Sequence, residues 1–188
     1  RMQAMRELLR GLQGGGAVAA HHAEWFGRHG LAQARYLRNL VPDLAGADWQ
    51  ARRAPPPQGG IPKLLLVGDV RTTATLAGLR TFAAQVLPRL EQLVGPEGFE
   101  AHIIGQGALP PDLARRLARP SVRVRGFVED LDREYLTSAC FVVPTLITLG
   151  VRTRIAFAWS FGSCVVAHRA NAAGLPELRH QDNALLAK

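Results

Sequence analysis

Residues 139–167, ACFVVPTLITLGVRTRIAFAWSFGSCVVA, contain two apolar runs separated by a longer amphipathic stretch. The first run, 139–143, stops at a proline, and the second run, 164–167, closes the segment. Between them, the apolar residues of 151–161 recur at helical spacing until a glycine. Short, wholly apolar strands joined by a helix are typical of a parallel sheet that is covered on both faces. The segment therefore predicts a strand–helix–strand unit of an α/β domain.

The same alternation continues on both sides of this segment. The predicted strands are 63–67, 101–104, 122–124, 139–143 and 164–167, with a sixth at 184–187. The predicted helices between them are 76–94, 112–117, 131–137 and 151–161, and Pro88 predicts a kink or break in the first. Right-handed crossovers between such strands give a Rossmann-like, doubly wound parallel sheet. A sheet of this kind binds ligands at the carboxyl ends of its strands, beside the point where the strand order reverses.

The N-terminal part of the chain lacks this regular alternation. A helix is predicted over 2–12, and 25–40 is ambiguous, with a helix favoured. The segment 54–60, APPPQGG, is rich in proline and glycine, as interdomain linkers are. We therefore place a domain boundary at this segment, which separates residues 1–60 from a domain of residues 61–188.

Charge does not indicate a nucleic-acid partner. The chain carries 23 basic and 15 acidic residues, which gives a formal net charge of +8. All basic residues except Lys63 and Lys188 are arginines, and the surplus is spread along the chain. A nucleic-acid-binding protein usually concentrates its charge in one stripe or tail. With 47% hydrophobic residues and no apolar run of about 20 residues, the sequence excludes disorder and a membrane-spanning helix.

The cysteines and histidines do not form a metal-binding pattern. Cys140 and Cys164 each lie in an apolar run, and neither has the spacing of a zinc site. Buried free thiols in a reducing compartment are the favoured interpretation, and a disulfide is the alternative. We therefore expect a cytoplasmic protein without a bound metal.

The loop after residues 139–143 opens a helix with two arginines. Gly150, Arg152, Thr153 and Arg154 stand at the predicted helix start. The backbone N–H groups and the dipole of a helix N-terminus attract anions, whereas cations there are unfavourable. Arg152 and Arg154 therefore indicate an anion held at this position, such as a diphosphate. The alternative, that both arginines point to solvent or pair with acidic residues, stays open.

Two further loops follow strands and complete the predicted ligand-binding edge. Neither carries a GxGxxG dinucleotide fingerprint or a Walker A motif, which removes the usual support for a nicotinamide or ATP-hydrolysing role. The candidate residues are Gly68, Asp69 and Arg71 after the first strand, and Gly126, Phe127 and Val128 after the third.

Six short motifs, taken in order, resemble the donor-binding C-terminal domain of GT-B glycosyltransferases, and in particular the retaining group 1, or family four, enzymes. The motifs are Gly68, GQG at 105–107, GFV at 126–128, ACFVVP at 139–144, GSCVVA at 162–167 and GLPE at 174–177. The resemblance covers about residues 63–188. It implies a GT-B C-terminal half, preceded by an N-terminal fragment of the partner domain and the interdomain linker.

The resemblance also implies a function and a set of contacts. It implies transfer of a sugar from a nucleotide-diphosphate sugar to an unknown glycan or lipid acceptor, without a cofactor or metal. The base is expected beside 126–128, and the diphosphate near 150–154 and the Gly68 loop. Glu177 is expected to contact the donor, with a helix-cap role as the alternative. A peripheral membrane contact stays open, and no catalytic residue is assigned.

Two positions depart from the pattern of the family. Its members carry two glutamates, separated by seven residues, that contact the sugar and ribose of the donor. Aligned through Gly150 and Gly162, the corresponding residues here are Leu149 and Phe157. The alternative function is therefore a catalytically degenerate GT-B-like module that serves binding or assembly.

Overall fold

A six-stranded parallel sheet forms the centre of the C-terminal part of the chain. The computed structural model describes residues 2–39, 41, 48–54 and 60–188. Within these ranges the strands are β1 (Gly15–Ala17), β2 (Ala34–Tyr36), β3 (Lys63–Val67), β4 (Glu100–Ile104), β5 (Val122–Gly126), β6 (Cys140–Val143), β7 (Cys164–His168) and β8 (Leu185–Ala187). β1 and β2 pair with each other, and the other six form one sheet in the spatial order β5–β4–β3–β6–β7–β8. The strand order reverses between β3 and β6, which confirms the Rossmann-like, doubly wound sheet.

Helices connect the strands and cover both faces of the sheet. They are α1 (Met2–Arg10), α2 (Ala20–Arg28), α3 (Trp49–Arg52), α4 (Thr73–Thr81), α5 (Leu87–Val94), α6 (Pro111–Leu117), α7 (Leu131–Leu136) and α8 (Thr153–Ser160). A 3₁₀ turn, Arg169–Ala173, follows β7. No helix in the described part of the chain has the length and apolar character needed to cross a bilayer.

Two hydrophobic clusters, one on each face of the sheet, hold this arrangement together. Leu65 and Leu66 are adjacent in β3, and both are buried. Because successive side chains of a strand point to opposite faces, Leu65 packs with Tyr135 and Phe161, whereas Leu66 packs with Phe82. Burial on both faces explains why the strands read as continuous apolar runs in the sequence.

Pro88 does not break the helix that precedes β4. It occupies the start of α5, where the missing N–H is not needed for the helical hydrogen-bond pattern. A π-helical turn, Phe82–Val86, joins α4 to α5, and the flanking residues keep right-handed helical dihedral angles. The chain therefore stays helical through Pro88 with a local change of helical pitch, so the predicted break is not found and the alternative, a kink, stays a prediction.

The N-terminal segment differs from its prediction. α1 confirms the predicted first helix, but the helix favoured over 25–40 is wrong. α2 starts earlier and ends near Gly30, whose φ of +114° is incompatible with a right-handed helix. The chain then enters β2, which pairs in parallel with β1. In the proposed linker 54–60, residues 55–59 lie outside the described residues, so the domain boundary stays a prediction.

The two cysteines lie side by side on neighbouring strands. Cys140 starts β6 and Cys164 starts β7, in direct register. Both are free thiols, as predicted, but the predicted burial is wrong for Cys164, because this residue starts its strand at the surface. Burial, with a smaller contribution from the neighbouring Cys164, raises the pKa of Cys140 to about 12. Cys164 is exposed.

The side chain of Arg53 joins the segment before the domain to two helix ends. Its Nη1 donates to the carbonyl oxygen of Phe161 at 3.0 Å, and its Nη2 donates to that of Ser138 at 3.2 Å. Phe161 directly follows α8, and Ser138 lies two residues beyond α7. One guanidinium therefore binds backbone carbonyls at the C-terminal ends of two helices.

Candidate functional site

Two cavities open at the carboxyl ends of the central strands. The first, called here the switch-point cavity, lies between the ends of β3 and β6 and has a volume of about 290 Å³. The second, called the side cavity, lies at the ends of β3 and β4 beside the loop after β5 and has a volume of about 260 Å³. Val67, Gly68 and Arg154 line both cavities. The cavities therefore adjoin at the end of β3, where a doubly wound sheet is expected to bind its ligand.

Glycines allow the strand ends to approach closely at this point. Gly68 N donates to Ile104 O at 2.9 Å, and Gly105 N donates to Gly126 O at 2.8 Å. Gly105 has a φ of +150°, and a Cβ atom there would lie 1.8 Å from the carbonyl oxygen of Gly68. A side chain at Gly105 would therefore push apart the two loops that bound the side cavity.

The N-terminus of α8 presents positive charge to the switch-point cavity. Arg152 occupies the N-cap position of α8, but its side chain accepts no capping hydrogen bond. The first turn of α8 contains no acidic residue. Arg152 Nη2 donates to Leu149 O at 2.6 Å. Its Nε is buried and has no hydrogen-bond acceptor among the described residues. Burial, and then the charge of Arg154, lower the pKa of Arg152.

The N-terminus of α4 reaches the same cavity from the other side. Thr72 caps α4 by accepting from Thr75 N, and Thr73 begins a first turn without acidic residues. Thr72, Thr73, Thr75 and Thr145 line the switch-point cavity. Two helix N-termini therefore converge there. The sequence predicts this helix from residue 76, and so does not place its N-terminus at Thr73, beside the cavity. The two threonines that follow the Gly68 loop are an N-cap signal that could have found it.

Asp69 and Arg71 are engaged with each other. Arg71 Nη2 lies 2.6 Å from Asp69 Oδ2 and donates to Gln106 Oε1 at 3.1 Å. Hydrogen bonds from the Arg71 side chain and backbone lower the pKa of Asp69 to about 2, and the charge of Arg154 acts in the same direction. Asp69 lines the side cavity as a carboxylate that is already paired with Arg71.

The loop after β5 adds an exposed aromatic ring. Gly126 has a φ of +64°, which turns the chain at the end of the strand. Phe127 and Val128 then line the side cavity. The Phe127 side chain is 69% exposed, whereas Val128 is packed against the core. An exposed aromatic face beside a cavity suits stacking against a flat, conjugated ring.

Glu177 lines neither cavity and contacts the N-terminal segment. Its Oε2 accepts a hydrogen bond from Tyr36 at 2.9 Å, and its Oε1 accepts one from Arg38 Nε at 2.8 Å. The pKa of Glu177 lies below its ordinary value. Burial, the largest single influence, acts to raise it, but the hydrogen bonds that the carboxylate accepts together outweigh burial. Glu177 caps none of the helices that the structure describes, so the helix-cap alternative is wrong. Its donor contact stays a prediction.

Gly150, in the loop before α8, and Thr153, the first residue of α8, lie on either side of Arg152 in the sequence. Gly150 has a φ of +65° and precedes α8 by three residues. A Cβ atom on Gly174 would lie 2.2 Å from Gly150 O, so the loop after β7 packs directly on this turn. Arg152 and Arg154 are the sequence neighbours of Thr153, as the N-cap and the second residue of α8 respectively.

Leu149 and Phe157, which occupy the positions where glutamates were expected, have different environments. Leu149 lines the switch-point cavity with 50% of its surface exposed. Phe157, one turn after Arg154 in α8, is packed against the hydrophobic core. The side chains that the structure shows lining the switch-point cavity include no carboxylate.

Together the fold and the site define a class of protein. A doubly wound parallel sheet with a cavity at its switch point defines the Rossmann-like class of fold. Residues 61–188 match the family of glycosyl transferases group 1. The chain therefore belongs to this family, and the predicted resemblance is confirmed.

Comparison with solved structures supports the same fold. Anabaena HepE in complex with UDP superposes with a TM-score of 0.73 at 16% identity, over 100% of this chain and 54% of its own. The α,α-trehalose 6-phosphate synthase of Burkholderia multivorans superposes with a TM-score of 0.71 at 12% identity, over 99% of this chain and 50% of its own. A UDP-containing complex of S. aureus TarM superposes with a TM-score of 0.65 at 12% identity, over 99% of this chain and 36% of its own. No protein of curated function matches the sequence. The chain spans about half the length of HepE and of the synthase.

Proposed function

We propose that this chain is the donor-binding half of a glycosyltransferase that uses a nucleotide-diphosphate sugar. The observation that carries the proposal is the position of Arg154, which lines both cavities where they adjoin. A nucleotide-diphosphate sugar has two bulky ends joined by an anionic diphosphate. A cation between two adjoining cavities matches that layout.

Each part of the donor has a place in this proposal. The base occupies the side cavity and stacks on Phe127. The diphosphate lies at the N-terminus of α8, between Arg152 and Arg154, where backbone N–H groups and the helix dipole favour an anion. The glycosyl group extends into the switch-point cavity, past Leu149. The UDP present in the HepE and TarM complexes supports a nucleotide of this kind.

The proposed chemistry needs electrostatic stabilisation of the leaving group. The bond between the anomeric carbon and the β-phosphate oxygen breaks with its electron pair staying on the oxygen, and the acceptor hydroxyl bonds to that carbon and releases its proton to solvent. The nucleoside diphosphate leaves with additional negative charge. Arg152, Arg154 and the N–H groups of α8 stabilise that charge. The proposal uses no metal or other cofactor, and the acceptor is a glycan or a lipid.

The N-terminal segment is proposed to be the end of a partner domain. β1 and β2 form a parallel pair of three residues each, which is too small to be stable without further packing. The segment contacts the loop after β7 through Tyr36, Arg38 and Glu177. A cytoplasmic location is part of the proposal, since the two free thiols suit a reducing compartment.

Titration calorimetry with UDP, GDP and the corresponding monophosphates tests donor binding. We expect a diphosphate to bind at least about tenfold more tightly than its monophosphate, because only the diphosphate reaches both arginines. A hydrogen bond to a charged group contributes about 1.5–3 kcal/mol, so R152A or R154A should weaken binding by about tenfold to a hundredfold. The matched control is R89A, at an exposed position on α5, which should leave binding unchanged. Absence of binding by any nucleoside diphosphate would refute the proposal.

A second candidate is a non-catalytic module that binds a nucleotide without transferring sugar. The observation that favours it is the lack of a carboxylate among the described residues that line the switch-point cavity, together with Leu149 at its rim. The full-length protein separates the two functions. Release of nucleoside diphosphate from a sugar donor in the presence of a glycan or lipid acceptor supports the enzyme, and binding without release supports the module.

A further inference from the structure

Two thiols lie side by side at the end of the sheet opposite the two cavities. Cys140 starts β6 and Cys164 starts β7, and the two residues are partners in the parallel register. Partners in a parallel ladder point to the same face of the sheet, and neighbouring strands are about 4.8 Å apart. The two side chains therefore leave one face of the sheet about one strand spacing apart, although they are distant in the sequence.

The pair is sheltered on one side and open to solvent on the other. Cys140 has Leu64 of β3 as its second neighbour in the sheet, and Leu64 packs against the hydrophobic cluster that contains Phe82. Cys164 is exposed. Burial raises the pKa of Cys140 to about 12, and the neighbouring Cys164 acts in the same direction, as expected of two thiols that lie close together. Solvent, and any ion dissolved in it, reaches the pair through Cys164.

Two thiols at this spacing suit a bridging ion better than a direct bond. A disulfide brings its two Cβ atoms to about 3.5–4.5 Å, which is less than the strand spacing. A metal–thiolate bond is about 2.3 Å long for zinc, so two such bonds in a straight line span about 4.6 Å, close to that spacing. The geometry therefore favours an ion held in a line between the two sulfur atoms.

The number of donors determines which ion fits. Among the described residues, no group of three or more Cys, His, Asp or Glu side chains is placed to hold a metal ion. Structural zinc takes four ligands in a tetrahedron, so the pair would leave its coordination incomplete. Cu(I) is selected by soft thiolate ligands and is satisfied by two of them in a line.

We propose that Cys140 and Cys164 form a binding site for one Cu(I) ion, which the two thiolates hold between them. Each thiol releases its proton to solvent, no electron is transferred, and the bound unit carries one negative charge, which water can solvate on the side of Cys164. The ion links the starts of β6 and β7, and so closes the chain between them into a loop that contains α8. This site lies outside the cavities and does not depend on the proposed function. It departs from the expectation of a chain without a bound metal.

Competition with the Cu(I) chelator bathocuproine disulfonate, without oxygen, measures the affinity of the intact chain. We expect one Cu(I) ion per chain. C140S and C164S should each weaken binding by at least about a hundredfold, because even the loss of an outer-shell partner costs tenfold to a hundredfold in metal affinity. The matched control is H22A, which removes an exposed histidine of α2 and should leave the affinity unchanged.

Thermal melts show whether one ion engages both strands. Cu(I) should raise the Tm of the wild-type chain and leave that of C164S unchanged, because an ion stabilises the fold only through a site that the folded chain assembles. Cys164 is exposed, so C164S should fold as the wild type does, and its melt without metal verifies this. Zn(II) should bind the wild-type chain no more tightly than it binds C164S.

Four results would overturn the proposal. They are equal Cu(I) affinity in C164S and the wild type, two ions bound per chain with one on each thiol, Zn(II) held as tightly as Cu(I), and a disulfide recovered in place of two alkylatable thiols once the ion is removed. No nucleotide enters these measurements, so their failure would leave the proposed function untouched.

Discussion

The hydrogen bond between Tyr36 and Glu177 ties the N-terminal segment to the loop after β7, and a double-mutant cycle measures its strength. The variants are Y36F, E177A and their combination. A hydrogen bond to a charged acceptor contributes about 1.5–3 kcal/mol when it is buried. Both groups are only partly buried, so we expect a coupling free energy of about 1–1.5 kcal/mol. The second contact of Glu177, with an Arg38 side chain that is 69% exposed, adds at most about 1 kcal/mol.

Urea unfolding together with hydrogen exchange of the N-terminal amides measures this coupling. Exchange over residues 15–36 should accelerate in E177A, because β1 and β2 lose a contact that holds them to the larger unit. The matched control is E24A, which removes an exposed ion pair with Arg28 and should change stability by less than about 0.5 kcal/mol. A coupling below about 0.3 kcal/mol would refute the reasoning, since that is the additivity expected of independent sites.

The pH dependence of the coupling has a definite sign. The pKa of Glu177 in the folded chain lies below its ordinary value of 4.5, so the contribution is present above pH 4.5 and is lost as the pH falls below it. Burial, and then the hydrogen bond to Glu177, raise the pKa of Tyr36 from 10.0 to about 12. The contribution of Tyr36 is therefore complete below pH 10 and is lost as the pH rises toward 12. Coupling that is equal at pH 3 and pH 7 would contradict the assignment.

Two further predictions concern the sheet and its thiols. Iodoacetamide should label Cys164 at least about tenfold faster than Cys140, whose pKa burial raises to about 12, and equal rates by mass spectrometry would contradict this. G105A should lower the free energy of unfolding by about 3 kcal/mol or more, because its Cβ would lie 1.8 Å from Gly68 O. G27A, in α2, where the added Cβ would lie at an ordinary 3.6 Å from the Cβ of Ala34 in β2, should be neutral or stabilise by up to about 1 kcal/mol in the same urea titration.

The sheet could be predicted because its strands are buried on both faces. Runs such as Lys63–Val67 and Cys140–Val143 are continuous, apolar and bounded by glycine or proline, which leaves little ambiguity. The N-terminal segment could not be predicted in the same way. Its strands β1 and β2 are three residues long and contain no buried residue, so they carry no apolar pattern. Their pairing depends on tertiary contacts that a local pattern does not contain.

The candidate site could be predicted only in part. Arg152 and Arg154 stand out in the sequence because cations in the first turn of a helix oppose its dipole. The partner that Glu177 contacts, Tyr36, is 141 residues away in the chain, and no spacing rule reveals such a pair. The apolar rim formed by Leu149 likewise depends on knowing which side of its loop faces the cavity.

The contact made by Arg53 changes where an independently folding unit should begin. The last carbonyl groups of a helix lack partners within the helix, and a cation close to them is favourable. The Arg53 guanidinium donates hydrogen bonds to carbonyl groups at the ends of both α7 and α8. A truncated protein that starts at residue 61 would begin where the match to the family begins. It would lack Arg53, so only water could donate hydrogen bonds to those carbonyl groups in its place. Truncations intended for expression, crystallisation or ligand screening should therefore start upstream of Arg53.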